Sequence, residues 1–329
     1  MPGRGGGLSG GAVNGNTVSR QDDLIRPFQV EGAGIRGRMV RLGPVVDEIL
    51  RRHDYPAPVA RMLGQALALA TVLAGALKFD GVFSLQTKGD GPIPMMVADF
   101  RSPGRLRGYA QFDAEAIANL ERTGQGDTTS VQRLLGTGYI AFTVDPATDM
   151  DRYQGIVALE GASLADCAHQ YFRESEQIGS GIRIAADLIA GPAGDSAWRA
   201  GAIMLQRLPE GDPAMLARGA EPERPDEAED AWRRAVMLLA SASDAELTAA
   251  DLDADSLLYR LYHEDGVRVY EPVPLSAGCR CSEERARAVM ASLPPDELPA
   301  LAEDGDLVVT CEFCNAVYRL ALAEFVATH

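Results

Sequence analysis

Only five cysteines, four histidines and two tryptophans occur in 329 residues, and basic side chains are scarce. Against 47 Asp and Glu stand 31 Lys and Arg, a formal charge of −16. That balance excludes broad binding to phosphate backbones, which needs clustered cations, so no nucleic-acid partner is expected. Sparse cysteine excludes a disulfide-stapled secreted scaffold and fits a reducing compartment, and a cytoplasmic location is expected. No apolar run reaches the roughly 20 residues of a membrane span. The longest, from Met62 to Leu77, is broken by Gly64, Gln65 and Gly75. It predicts a buried core helix and no membrane partner. The Gly-rich start lacks an apolar stretch, which predicts a disordered tail over 1–22 and no secretory leader. His53, His169, His263 and His329 show no ligand-like spacing, and no Ser-His-Asp or paired-carboxylate set stands out. These absences assign no catalytic residue and no organic cofactor.

With 46% hydrophobic and 24% charged residues, the chain can build one large domain or two modest ones. Gly32-Ala33-Gly34-Ile35-Arg36-Gly37 is a literal G-x-G-x-x-G. A dinucleotide site needs a helix N-terminus directly after the glycines, whereas residues 38–42 read as strand, so no nucleotide is assigned. Pro44 opens one helix, and a second starting near Pro58 carries the long apolar run to Phe79. Residues 82–87, 95–100, 106–112 and 139–144 alternate as strands. Gly89-Asp90-Gly91-Pro92 and Ser102-Pro103-Gly104 between them predict the turns of an antiparallel sheet. Residues 153–159 read as a further strand. Leu164, Cys167, Ala168, Tyr171 and Phe172 share one helical face, which makes Cys167 a small buried hydrophobe. Residues 182–190 can close the sheet, and 198–208 read as a helix.

Residues 209–230 then carry eight acidic side chains, two arginines and four prolines, the composition of a solvated connector. Two short helical patterns follow, one on Trp232, Val236 and Leu239 and one from Leu257 to Tyr262. Each is too short to persist unpacked. Two readings stay open: a linker that folds conditionally, or helices docked permanently on the first domain.

Four of the five cysteines fall into two tight pairs, Cys279-Arg280-Cys281 and Cys311-Glu312-Phe313-Cys314. Two close-set pairs supply the four soft ligands of one tetrahedral zinc. Ser282 can cap a helix over 283–293, Asp304-Gly305 suits a turn, and Cys311 to Cys314 a knuckle between two strands. From residue 279 onward nine acids face four arginines, which counts against a zinc-ribbon nucleic-acid module. Four thiolates on Zn²⁺ leave a charge near −2, which Arg280, Arg285 and Arg287 could moderate. The spacing also allows redox chemistry. Cys311-x-x-Cys314 has the separation of redox-active disulfides, while a bridge across Cys279-x-Cys281 would be strained and easily reduced. A purely structural zinc and a thiol-disulfide oxidoreductase using Cys311-x-x-Cys314 are the alternatives.

Together these residues resemble the 33 kDa heat-shock protein (33 kDa chaperonin) family. The carrying motif is Cys279-x-Cys281, 29 intervening residues, then Cys311-x-x-Cys314. Leu258-Tyr259-Arg260-Leu261-Tyr262-His263-Glu264, Ala302-Glu303-Asp304-Gly305 and Leu77-Lys78-Phe79-Asp80-Gly81 support it, as do Tyr153-Gln154-Gly155, Leu159-Glu160-Gly161 and Tyr171-Phe172 followed by Ser175-Glu176-Gln177. The similarity runs in order from Asp23 to Phe325. It implies an α+β fold: an α/β sandwich-like core with a mainly antiparallel sheet over 23–208, an acidic then helical linker over 209–270, and a small zinc-binding domain over 271–329. The implied activity is that of a redox-regulated, ATP-independent holdase for unfolding clients. Oxidation would pair Cys279 with Cys281 and Cys311 with Cys314, release zinc and unfold the zinc domain and linker. Oxidised protomers would form a homodimer and pass clients to ATP-dependent foldases. Asn315 stands where the family often has Gly, and Asn tolerates left-handed angles better than most residues.

Overall fold

A helix apolar on every side must be buried on every side, and the stretch from Ala57 to Ala76 sets the architecture for that reason. The computed structural model describes residues 22–31, 34–123, 130–147, 151–173, 179–191, 194–208 and 225–326. The tail expected over 1–22 therefore lies outside the described residues except for Asp22. In chain order the described elements begin with β1 (Leu24–Val30), β2 (Ile35–Leu42), α1 (Pro44–Leu50) and α2 (Ala57–Ala76). Next come β3 (Gly81–Gly89), β4 (Met95–Arg101) and β5 (Arg105–Gln111). Helices over Ala114–Thr123 and Val131–Leu134 lead to β6 (Gly138–Pro146) and β7 (Tyr153–Ala158). The helix Leu164–Tyr171 precedes β8 (Ser180–Ala190) and β9 (Ser196–Arg207).

The first sheet runs β8-β9-β2-β1, with the short strands β10 (Val267–Val269) and β11 (Val273–Pro274) both on the free side of β1. The second runs β12-β5-β4-β3-β6-β7, where β12 is Ser276–Ala277. Every pairing in the two is antiparallel except β12 on β5. Between the sheets lies α2, touching β2, β8 and β9 on one side and β3, β4 and β5 on the other. Fifteen of its residues are buried, so the longest apolar run is the central core helix. The described part of the Gly-rich motif, from Gly34, runs into strand β2, as its sequence implies. Gly37 is required there because a Cβ would sit 2.1 Å from the Phe28 ring.

The opposite face of the first sheet is covered by the linker. Helices Pro225–Ala240, Asp244–Thr248 and Ala254–Tyr262 place Ala235, Leu239, Leu247, Leu257, Leu258 and Tyr262 on a patch of Phe28, Val30, Ile35, Met39, Ile203 and Leu205. Polar anchors add to it. The buried guanidinium of Arg199 donates to the Thr248 carbonyl at 2.8 Å, and that of Arg41 reaches the Ala249 carbonyl. Both arginines also face Asp22.

Two expectations are corrected here. The helix expected over 198–208 is not formed: residues 198–207 belong to strand β9. Trp198, Ala200, Ala202 and Met204 join the core around α2, while Ile203 and Leu205 join the core under the linker. A strand buried on both faces loses its period-two signature. The connector expected over 209–230 lies outside the described residues up to 224. From Pro225 it is helical, because the packed face of Ala231 and Ala235 extends the helix backward and Glu229 pairs with Arg207 at 2.9 Å. The linker helices are thus docked on the sheet in this state.

The terminal unit holds the helix Glu283–Ala291, a turn of helix Leu298–Leu301, the sheet β13 (Ala302–Glu303), β14 (Asp306–Thr310) and β15 (Val317–Ala321), and the helix Ala323–Val326. Asp304 and Gly305 have φ of 50° and 88°, the left-handed pair that joins β13 to β14 tightly. Among the described residues its buried core is four side chains, Ala286, Leu298, Leu307 and Leu320.

Candidate metal centre

Cys279 and Cys281 lie on the extended segment after β12, and Ser282 then accepts the Arg285 amide to start a helix. Cys311 and Cys314 flank the turn between β14 and β15. The turn closes through the Asn315 amide on the Cys311 carbonyl at 2.8 Å and the Cys311 amide on the Ala316 carbonyl at 2.9 Å. Asn315 takes the left-handed φ of 56°, as its residue type permits.

The four sulfurs all lie within 4.8 Å of one another. Cys279 is 3.6 Å from Cys311 and Cys281 is 3.3 Å from Cys314. A tetrahedron with metal–sulfur distances of about 2.3 Å has edges of about 3.8 Å. The donor set and its spacing therefore fit one metal ion bound by four thiolates. The sulfurs also shift one another's acidity. Burial raises the Cys279 thiol, but hydrogen bonds from the Cys281 backbone and from the other sulfurs outweigh it and hold Cys279 down at about 6. Burial and the neighbouring sulfurs push Cys314 up to about 12. A cation among them removes the penalty of gathering four negative sulfurs.

Around the sulfurs, the Tyr318 hydroxyl donates to the Cys281 sulfur at 3.1 Å. Second-layer partners of this kind orient ligands. Tyr318→Phe is expected to lower metal affinity by about 10–100-fold, measured by competition with a chromophoric chelator.

Each cysteine pair also encloses a residue that grips the core. Arg280 reaches Asp99 at 3.3 Å, and the buried Asp99 carboxylate also takes Arg107 at 2.6 Å and the Ser84 hydroxyl at 2.6 Å. The Arg107 guanidinium lies 3.9 Å over the Phe313 ring, which also faces Tyr109 at 6.0 Å. The Asn315 side chain donates to the Arg52 carbonyl. Removing Phe313 with Phe313→Ala is expected to weaken this docking by about 1–2 kcal/mol. The readout is faster proteolysis within 276–316 in the reduced, metal-loaded chain.

Charge around Cys279 comes from a source that sequence reasoning missed. Arg101, Arg105 and Arg107 join Arg280 and Asp99 in lining a small cleft beside Cys279. Arg287 instead pairs with Glu283 and Glu324, and Arg285 donates to the Arg280 carbonyl. Nothing local in the sequence couples strands near residue 100 to cysteines near 280. Cys167 stands apart from the cluster: it is fully buried and its thiol is pushed up, chiefly by burial. The Cys311-x-x-Cys314 pair is not free either, since its sulfurs face those of the other pair.

A helix-centred two-sheet core, an apolar face under a helical cover and a four-thiol cluster on a small docked unit define the class. It is a chaperone carrying a metal-competent cysteine site, for residues 23–321 match the family model described as Hsp33 protein. A "33 kDa chaperonin" of Caulobacter vibrioides is 42% identical over 91% of this chain and 95% of its own length. One of Pseudomonas aeruginosa is 37% identical over 90% and 91%. Among solved structures, the 33 kDa chaperonin of Thermotoga maritima superposes with a TM-score of 0.73 over 92% of this chain and 96% of its own, at 22% identity. The chain belongs to the Hsp33 family. Its fold is α+β with antiparallel sheets, and its activity is the binding of client proteins rather than catalysis.

Proposed function

We propose that the chain is a redox-regulated, ATP-independent holdase whose reduced form binds one zinc ion through Cys279, Cys281, Cys311 and Cys314. The observation that carries this reading is the double grip of the cysteine segments. They close the small terminal unit and, through Arg280 and Phe313, fasten it to the core. The strap from 267 to 278, pairing on β1 and then β5, connects that unit to the linker helices.

Bound zinc supplies the unit with order that its four-residue core cannot. On oxidation, the thiolates of Cys279 and Cys281 form one disulfide and those of Cys311 and Cys314 another. Each bond transfers two electrons to an oxidant of the peroxide class, and four metal ligands are lost. Bridges within the pairs separate the two segments, whereas bridges across them would lock the unit shut. With the unit unfolded, the strap loses its anchor and the linker helices leave the sheet. The patch of Phe28, Val30, Ile35, Met39, Ile203 and Leu205 is then free to hold clients. Oxidised protomers pair, clients pass on to ATP-dependent foldases, and the site of action is the cytoplasm.

The test follows zinc content, helicity and suppression of client aggregation before and after peroxide treatment, with disulfides mapped by mass spectrometry. Expected are release of one zinc per chain, loss of linker helicity, gain of suppression and bridges within the pairs. Retained zinc and helicity, or bridges between the pairs, sinks the proposal.

A further inference from the structure

At the edge of the second sheet opposite β12, a cleft of about 710 Å³ opens between the C-terminal end of α2 and strands β3, β6 and β7. One wall is a chain of rings. Phe83 and Phe142 are 6.4 Å apart, Phe142 and Tyr171 5.1 Å, and Tyr171 and Phe172 5.4 Å between centroids. The Tyr153 and Tyr171 hydroxyls bond each other at 2.9 Å. Leu73, Ala76 and Leu77 face this wall, and Leu77 is 46% exposed. A preformed, mostly apolar cavity of this volume has the dimensions of a small-molecule site.

Its polar groups are distributed unevenly. Arg36 lines the cleft, and its buried Nε has no hydrogen-bond partner among the described residues. Arg38, two positions along the same strand and so on the same face, donates only to the Gly75 and Gly37 carbonyls. Neither guanidinium pairs with a carboxylate among the described residues. Gln206 sits opposite Arg36 across β2 and β9, and Lys78 is exposed at the rim. Of the cleft's acids, Asp80 accepts the Ser102 hydroxyl at 2.5 Å and Asp151 is exposed at the mouth. In a chain of charge −16, this is a locally cationic spot beside an apolar trough.

We propose that the cleft binds an amphipathic monoanion, an acyl chain bearing a carboxylate. The chain packs between the ring wall and Leu73 and Leu77, and the head takes the Arg36 guanidinium, which has no carboxylate partner among the described residues, with Gln206 beside it. A carboxylate matches a guanidinium in both charge and fork geometry, whereas a neutral head leaves it unpaired.

The probe is dodecanoate, with dodecan-1-ol as its uncharged counterpart. Dodecanoate, below its micellar concentration, and dodecan-1-ol, below its solubility limit, are each titrated into the reduced, metal-loaded full chain by calorimetry, with methyl NMR to locate them. One dodecanoate per chain is expected, at least tenfold tighter than dodecan-1-ol, with shifts at Leu73 and Val144. Arg36→Gln is expected to weaken dodecanoate tenfold or more and leave dodecan-1-ol within twofold. Ala76→Trp, which fills the cleft, is expected to weaken both tenfold. Equal affinities for the two probes, an unaffected Arg36→Gln chain, or shifts at Leu257 and Leu258 under the linker overturn the proposal. The shift map on the unaltered chain decides the location even if the filled variant does not fold.

Discussion

Cys314→Ser is expected to abolish metal binding and unfold the terminal unit while leaving the two-sheet core folded. Three thiolates and a hydroxyl do not reproduce the four-sulfur set, and structural zinc supplies about 10–16 kcal/mol of apparent binding energy to such units. Ala286, Leu298, Leu307 and Leu320 are too few to replace it. Amides from Cys279 to Ala321 should then exchange within the dead time of the experiment, whereas those of α2, buried between the sheets, stay protected. The variant should also suppress client aggregation without oxidant. If the terminal amides remain protected at zero metal content, the unit folds on packing alone and the thiol cluster is not its support.

The second large effect separates the cover from the clasp. Leu258 is fully buried between the linker and the first sheet. Leu258→Ala should cost about 2–5 kcal/mol of docking, enough to detach a cover made of three helices. Fast exchange across Ala254–Tyr262 should appear while one metal ion per chain is retained. Aggregation suppression should rise in the reduced protein, and Leu258→Met, which conserves volume, should stay near the parent. Fast linker exchange with no gain in suppression would show that the covered sheet face is not where clients bind.

Legibility from the sequence followed the range of the interactions. The four cysteines, the Ser282 cap, the Asp304-Gly305 turn and the central helix are local patterns, and each lies where the sequence places it. Strand β9 was illegible because its signature depends on what covers it, and layers on both faces leave Trp198 to Leu205 continuously buried. The helix from Pro225 was illegible for the converse reason. Its acidic, proline-bearing start reads as solvated chain until the packed face of Ala231, Ala235 and Leu239 carries it into the sheet's cover.

The sequence by itself determined the four cysteines that cluster, their pairing into two short segments and the apolar run that had to become a core helix. These rest on residue type and on spacings of a few residues, which the backbone converts directly into geometry. Only the tertiary structure decided what the thiol cluster is fastened to. Asp99 meets Arg280 across 181 positions, Arg107 lies over Phe313, and the linker covers one particular face of one particular sheet. Contacts of that span follow from how the layers pack, so the link between the four sulfurs and the core became visible only in the folded chain.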